Sequence, residues 1–308
     1  MTTGIPSSPV LPGRLTAFPA FLTFHLVIIS PAMRQLIINA DDLGSGIERD
    51  RGIFQSFTDG IVTSASLLAN GPSFSSAAAQ VRVLGLPTGV HLNLSDGMPL
   101  CGEIPGLTTE SGAFPGKSGL RRVLAQGEFD STSLYRELAA QIERVIAAGL
   151  QPDHLDSHQH FTLYPSVRTI ALGLARDYAI PALRHPAPVE SDLTDPAGEL
   201  GAELTLYRRL APAYTAQLQR AGMVTPDGLF GMPLLNRLNV QTLIATLRMI
   251  PDGCWELMVH PGYADGSSAF SGAERQEELL ALTSPLVAAE LLHCGLTLIS
   301  YRDLPCAS

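Results

Sequence analysis

From Met33 onward, short apolar runs alternate with stretches whose apolar residues recur at helical spacing, and this alternation is the strongest constraint on the fold. Runs at 35–40, 62–68, 88–94, 153–157, 181–184, 255–260 and 296–300 read as strands. The stretches 47–58, 73–84, 131–148, 166–178, 240–249, 274–282 and 285–294 read as helices. In 131–148, Leu134, Leu138, Ile142 and Val145 share one face. A strand–helix repeat of this kind builds a mostly parallel α/β sheet. For 308 residues the choice lies between two domains and one large barrel. About seven or eight strands with intervening helices predict a single distorted (β/α) barrel with long loop insertions. Two segments break the rhythm. Residues 97–128, punctuated by Pro and Gly, read as a long functional loop, and 186–236, with a helical piece at 203–221, as an insertion that caps a site.

The first 32 residues do not match this pattern. Rich in Pro, Ser and Thr, they carry an apolar run at 17–29 that is too short to span a bilayer. Arg14, that run and Ser30-Pro31-Ala32 resemble the three parts of a signal peptide. One charge and the interrupting Pro19 favour instead an N-terminal extension, with the domain at 33–308. No other segment approaches a transmembrane length, so a cytoplasmic protein is expected, or an exported one if 1–32 is a signal. The net charge of −9 argues against nucleic acid or an anionic membrane as main partner, leaving a neutral or cationic small ligand. Cys101, Cys254, Cys294 and Cys306 form no CxxC pair and read as buried free thiols in a reducing compartment.

Polar clusters fall at the carboxyl ends of the predicted strands, where α/β folds place their ligands. They are Asp41-Asp42, His91 in GVHLNL, the run HLDSHQH at 154–160, Arg184-His185, and Glu256 with His260 in WELMVHPG. Taken singly, Asp41-Asp42 also suits a turn or helix cap, and His91 a hydrogen-bonded core residue. The HLDSHQH run shifts the balance, because an extended strand places His154, Asp156, His158 and His160 on one side. Two imidazoles and one carboxylate make a three-ligand metal set with open positions, which is the form of a catalytic rather than a structural site. Glu256 and His260 share a strand face, so a carboxylate beside an imidazole is expected to hold His260 protonated as a general acid. Arg184 reads either as an orienter of Asp41, a substrate contact or a salt bridge. His185 and His293 are assigned to packing or solvent. Ser64 and Ser157 lie in no GxSxG elbow, which weakens a serine hydrolase.

The segments LIINADDLG at 36–44, GIVTSASLLANGP at 60–72, GVHLNLSDGMPL at 89–100, PDHLDSHQHFTLYP at 152–165, ELMVHPGYAD at 256–265 and SYRDL at 300–304 resemble the YdjC-like carbohydrate deacetylases. That family includes chitooligosaccharide deacetylases and hopanoid-pathway relatives. The resemblance implies a distorted barrel that removes N-acetyl groups from amino sugars with a divalent metal, usually magnesium. It implies Asp42, His91 and His158 as metal ligands, Asp41 as catalytic base and His260 as partner acid. His160, Arg184 and Glu256 would touch substrate or support these groups. Gln159 and Thr162 stand where relatives often have histidine, which bears on substrate contacts.

The implied partner is an N-acetylated sugar, oligosaccharide or glycolipid, and a homodimer is compatible with the sequence. On chemical grounds the ligand set suits zinc, iron, cobalt or manganese at least as well as magnesium. Two other classes remain open: a metal-independent glycoside hydrolase recruiting Asp41 and Glu256, and a non-catalytic sugar-binding protein.

Overall fold

The computed structural model describes residues 1, 2, 4, 33–189, 197–266, 268 and 270–304. The chain divides into two units, Met1–Ala32 and Met33–Ser308. The expectations for the N-terminal extension, and Cys306, lie outside the described residues.

The second unit is an α/β barrel. In chain order its elements are β1 (Arg34–Leu43), α1 (Ile47–Thr58), β2 (Ser64–Leu67), α2 (Phe74–Leu84), β3 (Thr88–Leu92), α3 (Gly116–Gln126), α4 (Ser131–Ala147) and β4 (His154–Ser157). There follow α5 (Pro165–Asp177), β5 (Ala182–Leu183), α6 (Glu199–Ala221), β6 (Leu229–Phe230), α7 (Val240–Met249), β7 (Gly253–Val259), α8 (Ala273–Leu282), α9 (Pro285–His293) and β8 (Thr297–Ile299). All pairings are parallel, in the order β5-β4-β3-β2-β1-β7-β6, and β8 pairs with the start of β1. β1 therefore shares one edge between β8 at Gln35–Ile37 and β2 from Asn39 onward, which distorts the ring. On the far side of β5, isolated parallel bridges from Ala182 to Val224 and from Pro188 to Leu229 lead toward β6.

Strand alternation sorts the residues by chemistry. Leu36, Ile38 and Ala40 of β1, Ala65 and Leu67 of β2, Val90 and Leu92 of β3, and Leu257 and Val259 of β7 join the core beneath the helices. Their neighbours form a different sequence of layers. Ile37, Ala182, Ile299, Tyr301 and Leu304 make a small apolar plug. Asn39, Ser66, His154 and Glu256 are buried polar residues on the next alternate positions, followed by Asp41, His91, Asp156 and Arg184. Buried polar groups on this scale persist only when they satisfy one another. One glycine makes room for them: a Cβ on Gly89 would lie 2.5 Å from the His154 ring.

The segment expected to be a long loop contains α3. Its helix is poorly advertised by GKSGLRRVLAQ, in which only Leu120 and Leu124 are buried. The two-residue β6 lies within the predicted insertion, which also holds the long α6. The free cysteines are not buried: Cys101 is exposed, and Cys254 and Cys294 are half-buried. No helix among the described residues is long and apolar enough to cross a membrane.

Candidate active site

Adjacent residues on a regular strand point to opposite faces, so Asp41 and Asp42 should not share a cavity. They do, because the β1–β2 register slips between Ala40 and Leu43, giving β1 one residue more than its partner. Asp42 takes up the slack with a left-handed backbone, φ 67°, a conformation that Asp tolerates better than most residues. Both carboxylates then line a cavity of about 910 Å³ together with His91, Asp96, His158, His160 and His260.

Three of these groups converge. His158 Nδ1 stands 2.9 Å and His91 Nε2 3.4 Å from Asp42 Oδ1, and the two ring nitrogens are 3.3 Å apart. Each imidazole is anchored through its other nitrogen, His91 Nδ1 on Asp156 Oδ1 at 2.9 Å and His158 Nε2 on Asp96 Oδ2 at 3.0 Å. Asp42 Oδ1 is buried and accepts no hydrogen bond of acceptable geometry. An orphaned carboxylate oxygen facing two carboxylate-anchored imidazoles could hold a divalent cation, with the groups that orient the imidazoles in place. A second grouping, Asp41, His91 and Asp156, also gathers ligand atoms, but a cation already serves it.

That cation is Arg184, buried at the end of β5. Its Nη1 and Nη2 donate to Asp41 Oδ2 and Oδ1 at 2.7 and 2.6 Å. Its Nε and Nη2 donate to Glu256 Oε1 at 3.0 and 2.6 Å, and Nη1 lies 2.7 Å from Asp156 Oδ2. Arg184 is thus salt-bridged to three buried carboxylates, and its paired bonds to Asp41 fix that side chain's orientation. Asn39 Nδ2 adds a 2.8 Å hydrogen bond to Asp41 Oδ1. Burial alone would raise the Asp41 carboxyl, but the guanidinium outweighs it and holds the pKa below the usual carboxylate value.

The imidazoles divide by the charges around them. Burial opposes protonation of His91, yet Asp156 and Asp41 raise its pKa to about 10; Asp42 likewise raises that of His158 to about 9. His160 and His260 are held down to about 3 by burial.

Several expectations require correction. Glu256 does not charge His260. Four residues apart on a strand they stand about 13 Å apart at 3.3 Å per residue, and Glu256 is engaged by Arg184 and by the Tyr301 hydroxyl at 2.6 Å. Glu256 also does not line the cavity, so it cannot flank a sugar bond opposite Asp41 as a glycoside hydrolase would require. The HLDSHQH run is not extended throughout: β4 ends at Ser157, and Gln159 and His160 have φ of 61° and 52°. His154 belongs to the interior, bonded to Asp153 and Ser66 and stacked on Tyr301 at 3.8 Å. His185 packs, its nitrogens on the Asp227 carbonyl and Thr215, and His293 is exposed.

The loop bearing His260 is fixed from several sides. A Cβ on Gly52 of α1 would fall 2.4 Å from the Gly262 Cα, so the helix can approach this loop only through glycine. Arg49 Nη1 donates to the His260 carbonyl at 2.9 Å, and the His260 N–H donates to Glu278 Oε2 at 2.6 Å. Asp96 and Asn39 were not singled out as site members from sequence, and Asp156, grouped there with the histidines of its run as a candidate ligand, holds His91 and Arg184 instead. Asp156 carried a usable signal, its place two residues before His158 on a strand face; Asp96 sat in an SDG turn that reads as a loop.

The family model of the YdjC-like proteins matches residues 35–293. The chain belongs to the YdjC-like family. Among its relatives, a carbohydrate deacetylase of Mus musculus is 34% identical over 294 residues, covering 88% of this chain and 94% of that protein. One of Geobacillus stearothermophilus is 32% identical, covering 88% and 98%. A chitooligosaccharide deacetylase of Serratia marcescens is 30% identical, covering 87% and 98%. Among solved structures, a YdjC-like fold is shared with an Enterococcus faecalis V583 protein described as a candidate for cellobiose-phosphate cleavage, with TM-score 0.69, 28% identity and coverage of 88% and 98%.

Proposed function

We propose that this YdjC-like protein is a divalent-metal-dependent carbohydrate deacetylase that hydrolyses the N-acetyl group of an amino sugar. Relatives named for carbohydrate and chitooligosaccharide deacetylation support the sugar and the reaction. The observation that carries the metal is the orphaned Asp42 Oδ1 between two anchored imidazoles, beside a carboxylate held by Arg184. Asp42, His91 and His158 would hold the ion; two nitrogens and one oxygen favour zinc, manganese, iron or cobalt over magnesium. When bound, a divalent ion there polarises the acyl oxygen and makes water more acidic.

The residues of the chain supply the rest. Asp41 takes a proton from the water that attacks the acyl carbon. Arg184 keeps Asp41 ionised and aimed at the cost of basicity, so Asp41 depends on an acidified water. His260 serves the leaving nitrogen. Its imidazole enters neutral, so the proton that Asp41 takes from water must pass to His260 before it can reach nitrogen. The C–N bond breaks as that proton arrives, giving a free amine and acetic acid, which ionises to acetate. One proton leaves water and one arrives at nitrogen, so no outside acid is needed.

The test is acetate release from a panel of N-acetylated sugars that includes chitooligosaccharides, in chelator and after adding back single metals. The expected result is activity lost in chelator and restored by a metal. His91→Ala and His158→Ala should lose both metal and activity, whereas Asp41→Asn keeps the metal and loses about 10²–10⁴ in turnover. No acetate from any sugar with any metal would overturn the reading, and full activity of Asp41→Asn would remove Asp41 as the base.

A further inference from the structure

His160 stands on the cavity wall two residues after His158, in an unusual turn. It is buried and lines the cavity, yet its Nδ1 has no hydrogen-bond partner among the described residues. The ring's close aromatic neighbour is Tyr207, edge-on at 5.4 Å. The backbone at this point is costly. Gln159 (φ 61°, ψ 20°) and His160 (φ 52°, ψ 32°) are consecutive left-handed residues, and neither is Gly, Asn or Asp.

The surrounding structure holds the turn in place. Tyr207 OH donates to the Gln159 carbonyl at 3.2 Å and accepts from Arg121 Nη2 at 3.0 Å. Arg121 Nη1 and Lys117 Nζ of α3 both bind Glu203 Oε1 of α6, at 2.6 and 2.5 Å. The two segments that interrupt the barrel's rhythm thus meet at Glu203, and Tyr207 passes their position to the turn.

We propose that His160 donates a hydrogen bond to an oxygen of the acylated sugar, and that the left-handed turn exists to present it. With no acceptor at Nδ1, a proton there would be an orphaned donor, which proteins avoid more strictly than an orphaned acceptor. The ring's other nitrogen, Nε2, is then the donor to a ring hydroxyl or to the acyl oxygen. Tyr207 is a positioning residue for this contact. The inference rests on the deacetylase reading for the identity of the sugar.

His160→Gly is the decisive variant, because glycine adopts this backbone freely and the protein should fold with an equal or higher Tm. With N-acetylated chitooligosaccharide, kcat/KM should fall at least about tenfold, the loss of one good hydrogen bond. Affinity for Mn²⁺ alone, measured by calorimetry, should stay within about twofold if the contact is with substrate and not with the metal set. His160→Asn, which tolerates the backbone and carries an N–H, should recover part of the loss. A raised KM assigns the contact to a ring hydroxyl, and a lowered kcat to the acyl oxygen. The proposal is overturned if His160→Gly matches the wild type, or if it loses activity and Mn²⁺ together. Absence of acetate release by the wild type would sink the deacetylase reading instead. In that event, titration of the oligosaccharide into the wild-type and His160→Gly proteins decides the contact: weaker binding by the variant upholds it, and equal or absent binding rejects it.

Discussion

Replacing Arg184 by Met keeps an unbranched stem and removes the guanidinium with its charge. Three carboxylates, Asp41, Asp156 and Glu256, each no more than 2% exposed, then lose their shared cation. His91 still faces Asp156 and the Tyr301 hydroxyl still faces Glu256, so the cluster is only partly deprived. Removing one member of a buried ion pair costs about 3–5 kcal/mol, a fifth or more of the roughly 5–15 kcal/mol that stabilises a typical domain. At about 2–4 °C per kcal/mol for a chain of this size, Tm should fall by roughly 6–20 °C near pH 7.5. The pH dependence separates charge from packing. In the wild type the Asp41 and Asp156 pKa values are depressed, so their contribution is present above the unfolded carboxyl value and lost as pH falls through the folded one. Glu256 is raised and contributes with the opposite sign, its stability lost as pH rises through its folded pKa. Without the guanidinium all three carboxyls rise, so the deficit of Arg184→Met should be greatest at neutral pH and shrink toward pH 5. Thermal unfolding of both proteins at pH 5 and 7.5 reads this directly. An unchanged Tm at pH 7.5, or an equal loss at both pH values, would refute the claim that charge holds these carboxylates.

Metal affinity should climb with pH. In the metal-free protein His91 and His158 are raised to about 10 and 9, and each must shed a proton to bind an ion. The gain is as much as about a hundredfold per pH unit if both protons leave, and calorimetry in buffers of different ionisation enthalpy counts them; a flat profile from pH 6.5 to 8.5 would contradict it. Asp50 offers an independent check away from the ion. Burial raises its carboxyl to about 6 although it accepts the Gly44 N–H at 2.7 Å, so its contribution to stability is full below the unfolded carboxyl pKa and lost as pH rises through about 6. Asp50→Asn, whose amide oxygen can still accept that bond, should flatten the stability profile between pH 4 and 6.5; an unchanged slope would place the titration elsewhere.

The barrel was legible because its helices carry apolar stripes. The reading of 47–58 and 240–249 matches α1 and α7 at both ends. What escaped has a physical reason. α3 begins after Pro115 and contains Gly116 and Gly119, so local propensity speaks against it; its position comes from Lys117 and Arg121 binding Glu203, far away in sequence. The candidate ligands were visible as polar residues at strand ends. Their alliances were less so, because same-face logic orders residues across a sheet and ignores distance along it. It placed Glu256 with His260 correctly in direction and wrongly in contact. The role of Arg184 needed the curled sheet, since its partners come from β1, β4 and β7.

The surplus residue in β1 has a meaning beyond geometry. A parallel strand repeats one message, apolar outward and alternate inward, and each position is bound to its neighbours by that grammar. Chemistry that needs two adjacent carboxylates cannot be written within it. The extra residue between Ala40 and Leu43 is where the repeat is interrupted and then resumed in phase, so that Leu43 is again buried in the core. Shortened by one residue, the strand would be a more regular stave of the same barrel, with nothing to say to a substrate.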